Sequence, residues 1–208
     1  MRPNLKSFCT GLLSVTLLMS CGETKEEKKN DDEDESVSAV GAVGALKDIA
    51  TRAGEMQKNG PVETVNFRSL KELLPADVDG LARKEATGEK NGAAGFTVST
   101  ATGNYANDDN SETIEVSLVD GGGSVVMMGL AAWSMIEVDK ETKNGYEKTS
   151  TMGENKSYEK YDNTDESGEI ALLVNKRFIV TVKGKGVSMD KLKEALKAVD
   201  LDKLAALK

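Results

Sequence analysis

A chain of 208 residues with 27 Lys plus Arg against 35 Asp plus Glu carries a formal charge of -8, and so has no long-range attraction for nucleic acid or anionic lipid head groups. Histidine is absent, which removes imidazole general acid–base catalysis, Ser-His-Asp and Cys-His nucleophiles and imidazole-based zinc sites. Chemistry is left to carboxylates, Lys, Tyr, Ser and Thr, a set that leans away from an enzyme and leaves carboxylate-only glycosidases as the exception.

Arg2 and Lys6 form a short positive region, and Phe8 to Met19 a mostly apolar run interrupted by Gly11 and Ser14, the pattern of a secretory signal. The run falls short of the roughly 20 apolar residues of a membrane-spanning helix. Leu18-Met19-Ser20-Cys21 resembles the lipobox of bacterial lipoproteins: a branched apolar residue, two further residues with small Ser20 at the cleavage point, then cysteine. The resemblance covers residues 1–21 and implies that 1–20 are a signal peptide and that Cys21 is diacylated, becomes residue one and is acylated again. Two or more acyl chains anchor stably, at ~0.8 kcal/mol per buried methylene. The alternatives are an ordinary cleaved signal with an incidental cysteine or a weak transmembrane anchor.

On the lipoprotein reading the mature chain keeps 25 of its bases and all 35 acids, a charge of -10. Cys9 leaves with the signal and Cys21 is consumed by lipid, so the mature protein is expected to have neither disulfide, free thiol nor thiolate metal site. No metal or cofactor is expected. The implied partner is the membrane, reached through the lipid on Cys21, and the implied address is the cell envelope at the outer membrane, either inside it or on the cell surface.

Residues 21–38 hold eight acids and three lysines, with no apolar side chain between Gly22 and Val37. Such a segment cannot bury enough surface to offset ordering entropy, so it is expected to be a disordered acidic tether. Lys25-Glu26-Glu27 resembles the short Lys-acid-acid signal that sends some lipoproteins of one Gram-negative phylum to the cell surface, with a plain solvated spacer as the alternative. The acidic run Asp31 to Glu35 lacks the glycine turn and spaced ligands of a calcium loop. A single globular domain is expected over 39–208.

Apolar residues at Val37, Val40, Val43, Leu46, Ile49, Ala50, Ala53 and Met56 recur at helical spacing. Gly41, Gly44 and Gly54 weaken it, so a helix is expected to be best formed from Ala45 onward, stopped by Asn59-Gly60-Pro61. A short helix over 68–74 and an extended segment over 78–87 follow. The glycines between Gly88 and Gly95 lack the Gly-Lys-Ser/Thr of a phosphate loop and read as a turn-rich connector. Alternation at Phe96, Val98 and Thr100, then at Ile114, Val116 and Leu118, predicts antiparallel strands joined through Asn107-Asp108-Asp109-Asn110, residues suited to a turn, with a cation site as the alternative.

Ser124 to Ile136 is apolar all round and predicts a buried helix of roughly twelve residues packed across the sheet. Its methionines and Trp133 are read as core, the alternative being the lining of a hydrophobic ligand cavity. Asn144-Gly145 suits a type I′ turn. Strands are then expected over 146–152, 156–161, 169–174 and 177–183, the last two joined at Asn175-Lys176. Tyr146, Tyr158 and Tyr161 could form a carbohydrate or peptide platform, or simply bridge core and water. Ser188 and Asp200 are placed to cap two final helices.

This order predicts an α+β fold, an antiparallel or mixed sheet packed by helices on one face, broadly similar to α/β sandwiches of the PsbP/Mog1-like class. The leading functional expectation is an envelope lipoprotein acting as a binding or structural module for a protein or small-molecule partner, its specific role open. The alternatives are a hydrophobic-ligand or lipid carrier built around the Met/Trp helix, and a glycan-active enzyme drawing on Glu147, Glu159 and Asp162.

Overall fold

The computed structural model describes residues 62–93, 96–123 and 125–208. The signal, Cys21, the acidic stretch 21–38 and the helix expected before Asn59-Gly60-Pro61 lie outside these residues. Within them, period-two alternation takes over most of the chain. Nine strands form: β1 (Asp77–Val78), β2 (Leu81–Ala93), β3 (Phe96–Ala106), β4 (Thr113–Asp120), β5 (Asp139–Thr142), β6 (Gly145–Met152), β7 (Asn155–Asp162), β8 (Ser167–Val174) and β9 (Phe178–Lys185). They make one sheet in the order β1-β2-β3-β4-β9-β8-β7-β6-β5, with every neighbouring pair antiparallel. Two meanders, β1–β4 and β5–β9, therefore meet at β4 and β9.

The register places one face of this sheet in the core. Val116 stands opposite Gly103 and Val182, and Val182 opposite Ile170; one row over, Leu118 stands opposite Ala101 and Val180, and Val180 opposite Leu172. The larger side chains of both rows are fully buried. Short helices complete the same cluster through Leu70 of α1 (Phe67–Glu72), Leu192 and Leu196 of α3 (Met189–Lys197) and Leu204 of α4 (Leu201–Ala206). Each begins on a side-chain cap: Asn66 accepts from Arg68 N–H, Ser188 from Lys191 N–H and Asp200 from Lys203 N–H, satisfying donors the first turn leaves without partners.

The expected α+β layering, with a PsbP/Mog1-like sheet packed by helices on one face, is overturned. Among the described residues the molecule is mostly β, in the range of β-sandwich and barrel-like folds: a nine-stranded, wholly antiparallel sheet with α-helices of only six to nine residues at its ends. Two misread segments account for much of the difference. The stretch from Gly88 was expected to connect, yet β2 runs on to Ala93. Gly88 is there to admit a ring: a Cβ at this position would lie 2.7 Å from Phe67 Cδ2, so the glycine marks close approach rather than a turn.

The second is Ser124 to Ile136. It yields only α2 (Val125–Leu130) and a 3₁₀ turn (Ala132–Met135). Val125, Val126 and Gly129 are weak helix formers; Ala131 N–H still bonds Met127 C=O, after which the spacing tightens and Ser134 N–H bonds Ala131 C=O. This segment carries the chain from β4 to the far edge at β5, and it packs Met127 and Ala131 on Leu173 and Ile179, residues of the face that the larger core does not use. A smaller correction concerns the hairpin at Asn144-Gly145. The loop is Lys143-Asn144, since Thr142 pairs with Gly145, and Gly145 is needed inside β6 because a Cβ would run into the Tyr161 carbonyl oxygen.

Other local readings hold. Asn175 and Lys176 both adopt positive φ, 50° and 53°, in a turn closed by Arg177 N–H on the Val174 carbonyl at 3.1 Å; the loop takes in Arg177 as well, since Val174 pairs with Phe178. Asn110 likewise takes φ 57° in the turn between β3 and β4.

One buried charge fixes where the described chain begins. Asp120, fully buried at the end of β4, accepts from Val65 N–H at 2.8 Å, Gly122 N–H at 2.8 Å, and Arg177 Nε and Nη2 at 2.9 and 2.7 Å. Arg177 also donates to Glu63 C=O at 3.1 Å, and Thr64 hydrogen bonds Thr97 at 3.0 Å. The carboxylate is fully coordinated by donors, which is what a buried charge requires.

Candidate functional site

The second face of the sheet is built from the same strands, one residue out of step. Glu115 of β4 stands opposite Lys183 of β9, and Lys183 opposite Glu169 of β8; Glu169 faces Lys160 of β7, Lys160 faces Glu147 of β6, and Glu147 faces Lys140 of β5. Acid and base thus alternate across six strands, at the roughly 4.8 Å spacing of neighbouring strands. Lys183 Nζ lies 3.8 Å from Glu169 Oε2. Pairs this exposed contribute little each, about 0.2–1 kcal/mol. The ladder's larger effects are to keep the face wet and to penalise a slipped register. Beside it runs a hydroxyl row, Thr87, Thr102, Ser117 and Thr181.

At the β3–β4–β9 end of this face lies a shallow concavity of about 470 Å³, lined by Lys84, Lys183, Lys185, Asn104, Asn110, Thr113 and Glu115. Three ammonium groups against one carboxylate make a locally cationic spot on an acidic chain. Lys84 also reaches Asp108 at 3.4 Å, just outside the lining. A smaller hollow of about 120 Å³, nearer the β5 edge, is lined by Lys140, Glu147, Lys160 and Asp162 among others.

The crossover from β4 to β5 borders the face with an apolar rim. Trp133 and Tyr158 lie with ring centroids 6.1 Å apart at an interplanar angle of 43°. Tyr158 donates its hydroxyl to Glu147 Oε1 at 3.0 Å, and burial, followed by the Glu147 carboxylate, pushes the phenol up to about 12. Leu130 and Ile136, on either side of Trp133 in sequence, are each 50 % exposed. Trp133 is half-buried against the small cluster of Met127, Ala131, Leu173 and Ile179. The segment predicted as core therefore lies on the outer face, with one side turned to water.

A second polar group sits on the core-facing side. Glu159, 4 % exposed, accepts from Tyr146 Oη at 3.2 Å and pairs with Lys193 Nζ at 3.2 Å and Lys148 Nζ at 3.6 Å. Desolvation and then Glu159 raise the Tyr146 phenol to about 12. Lys193 belongs to α3, so this carboxylate ties the helix to β7.

The residues singled out from sequence are not gathered by this geometry. Glu147 pairs with Lys160, and Glu159 with Lys148, so these two carboxylates point to opposite faces and cannot flank one glycosidic bond. Asp162 shares the face of Glu147, but Thr164 N–H bonds it at 2.7 Å and holds its carboxyl low, the wrong direction for a general acid. The three tyrosines divide as well: Tyr146 and Tyr161 pair on the core side with centroids 6.4 Å apart, and Tyr158 lies on the other. Asp109 of the Asn/Asp loop spends its carboxylate on Ser111, from N–H at 3.1 Å and hydroxyl at 2.7 Å, as turn residues do. Among the described residues no three Asp or Glu side chains cluster as a metal site would require, and no helix is long and apolar enough to cross a membrane. Cys21 lies outside them.

The charge ladder escaped sequence reasoning. Its members are visible as every second residue of a strand, but nothing local says that Glu115 and Lys183 become neighbours; a β4–β9 pairing had to be known first. The chain matches no family model, no curated protein and no solved structure.

Proposed function

We propose that the protein is a lipid-anchored envelope lipoprotein, attached through Cys21, that acts as a binding or structural module and meets its partner through the outer face of the sheet. The observation that supports this most is the asymmetry of the two faces. The inner one is closed by side chains. The outer one presents an ordered ladder of charges and hydroxyls and a cationic concavity of about 470 Å³, bounded by an aromatic rim. The lipobox-like Leu18-Met19-Ser20-Cys21 and the acidic stretch after it supply the anchor and a spacer that would let this face reach outward.

Two measurements test the proposal. Intact-mass analysis of membrane-extracted protein should show acyl chains on a mature chain beginning at Cys21, and Cys21→Ala should accumulate as unlipidated precursor; a mature mass without acyl groups defeats the anchor. Photo-crosslinking in intact cells from Ser117 or Thr181, on the outer face, should give a discrete adduct that the exposed control Ser150, on the other face, does not. Equal labelling from both faces would remove the outer face as the binding surface.

A further inference from the structure

The concavity at the β3–β4–β9 end of the outer face is lined by polar groups that the fold leaves uncommitted. Glu115 stands opposite Asn104 and Lys183, and one row along Thr113 stands opposite Lys185, so two adjacent rows of the sheet supply most of the polar lining. Lys84 joins them through an irregularity. Arg83 pairs with Tyr105 and Glu85 with Asn104, which leaves Lys84 as the extra residue of a β-bulge, a device that re-aims a side chain. Asn110 enters from the β3–β4 turn. Among the described residues, the side chains of Asn104, Asn110, Thr113, Glu115 and Lys185 have no hydrogen-bond or ion-pair partner, whereas Asn107, Asp109 and Ser111 of the adjoining turn are linked to one another.

We infer that this concavity binds a single sugar residue carrying an anionic group, a carboxylate or a phosphate. The inference rests on the outer face being the surface that a partner meets, and it names the chemistry met there. The charge balance selects the anion: three ammonium groups stand against one carboxylate, and a lysine ammonium is a point charge that suits either anion without the fixed fork of an arginine. Glu115 selects against a bare ion. Its carboxylate repels a simple oxyanion but accepts hydrogen bonds from sugar hydroxyls, and the amides of Asn104 and Asn110 both donate to hydroxyls and accept from them.

Size and total charge select a small ligand. A volume of about 470 Å³ falls within the range of small-molecule sites, and screening at physiological salt confines the field of the three lysines to about 8 Å. A polyanion long enough to leave that spot would meet a chain whose formal charge is -8; one sugar residue stays within it.

Calorimetric titration of the full-length protein in neutral detergent tests this with glucuronate, glucose 6-phosphate, glucose and inorganic phosphate. At low salt the two anionic sugars should bind about tenfold more tightly than glucose, as two or three exposed ion pairs would allow. About 1 M NaCl should remove most of that difference, and inorganic phosphate should bind less tightly than glucose 6-phosphate. The tighter of the two anionic sugars identifies the group as carboxylate or phosphate. Lys84→Ala and Lys185→Ala should each weaken both by about threefold, while Lys197→Ala, which removes the same charge from an exposed position on α3, should not. Glu115→Ala should narrow the gap between glucose 6-phosphate and inorganic phosphate. Circular dichroism of the strands checks that each variant is folded. Glucose bound as tightly as the anionic sugars, or inorganic phosphate as tightly as glucose 6-phosphate, overturns the inference. So does an aspartate-rich peptide that outcompetes both sugars, which would give the site to an acidic protein segment. Absence of sugar binding while Ser117 and Thr181 keep their crosslinks overturns the inference and leaves the outer face as the partner surface; sugar binding with equal crosslinking from Ser150 keeps the site and removes the partner surface.

Discussion

The two faces of the sheet are written in the same strands and obey different rules. On β4 and β9, Val116 and Val182 point inward and are fully buried, while their neighbours Glu115 and Lys183 point out and are exposed. The inner face holds the folding energy: burial at about 25 cal/mol per Å² of apolar surface accumulates over two full rows of side chains. Apart from the small cluster of Met127, Ala131, Leu173 and Ile179, the outer face contributes little to stability per residue, and on the proposed function it is the surface that a partner meets. A substitution moved by one position from Val182 to Lys183 should therefore change its consequence from a large loss of stability to a small one.

The sharpest way to break that contrast is at the one charge placed on the inner side of β4. Asp120→Ala would leave Arg177 and the Val65 and Gly122 N–H groups without their shared acceptor, and removal of one partner of a buried pair costs about 3–5 kcal/mol. Chemical denaturation should show a loss of that size. A loss under 1 kcal/mol would mean that the start of the described chain is not held by this clamp. Next in size is Leu172→Ala on β8, a fully buried residue, expected to cost about 2–5 kcal/mol with the outer face unaltered.

Trp133→Ala tests the rim between the two regimes. As a core residue it would cost about 3–5 kcal/mol; half-buried on the outer face it should cost roughly 1–2 kcal/mol by the area it covers. Thermal denaturation distinguishes the two. A core-sized loss would show that the crossover is part of the main packing after all. On the ladder, Lys160→Ala should change stability by about 0.2–1 kcal/mol at most, and less in high salt, where exposed pairs are screened.

What the sequence disclosed follows from the range of each interaction. Ser188 and Asp200 were legible as caps, and Asn175-Lys176 as a hairpin turn, because each is decided within four residues. Gly88 misled because the same residue serves two needs: it reads as a turn, and its actual role, making room for the Phe67 ring, depends on a partner some twenty residues earlier. Trp133 misled because an all-round apolar segment predicts burial without saying how much of each side finds a surface. The fold class failed at the level of pairing. Helix-length patterns were weighed as a layer, whereas the register of β4 with β9 joins two meanders into one large sheet and leaves the described helices short. The candidate site was hidden for the same reason, since alternating Glu and Lys become a ladder only once six strands are in register.

An effect confined to high pH compares the faces through their tyrosines. Tyr146 on the inner side and Tyr158 on the outer each have their phenol raised from 10.0 to about 12, first by burial and then by Glu159 and Glu147 respectively. A raised phenol means that the folded state holds a proton which the unfolded chain gives up near pH 10. Below pH 10 the stabilisation is complete. Between pH 10 and 12 unfolding releases protons, so stability must fall as pH rises through that window. Denaturation midpoints measured from pH 9 to 12 should decline more steeply in the wild type than in Tyr146→Phe or Tyr158→Phe, and phenolate absorbance should develop later in the native than in the denatured protein. If Tyr158→Phe flattens the decline as much as Tyr146→Phe does, the outer rim is as dry around its phenol as the inner pocket. If only Tyr146→Phe does so, solvent reaches Tyr158, and the rim is more open than its contact with Trp133 implies.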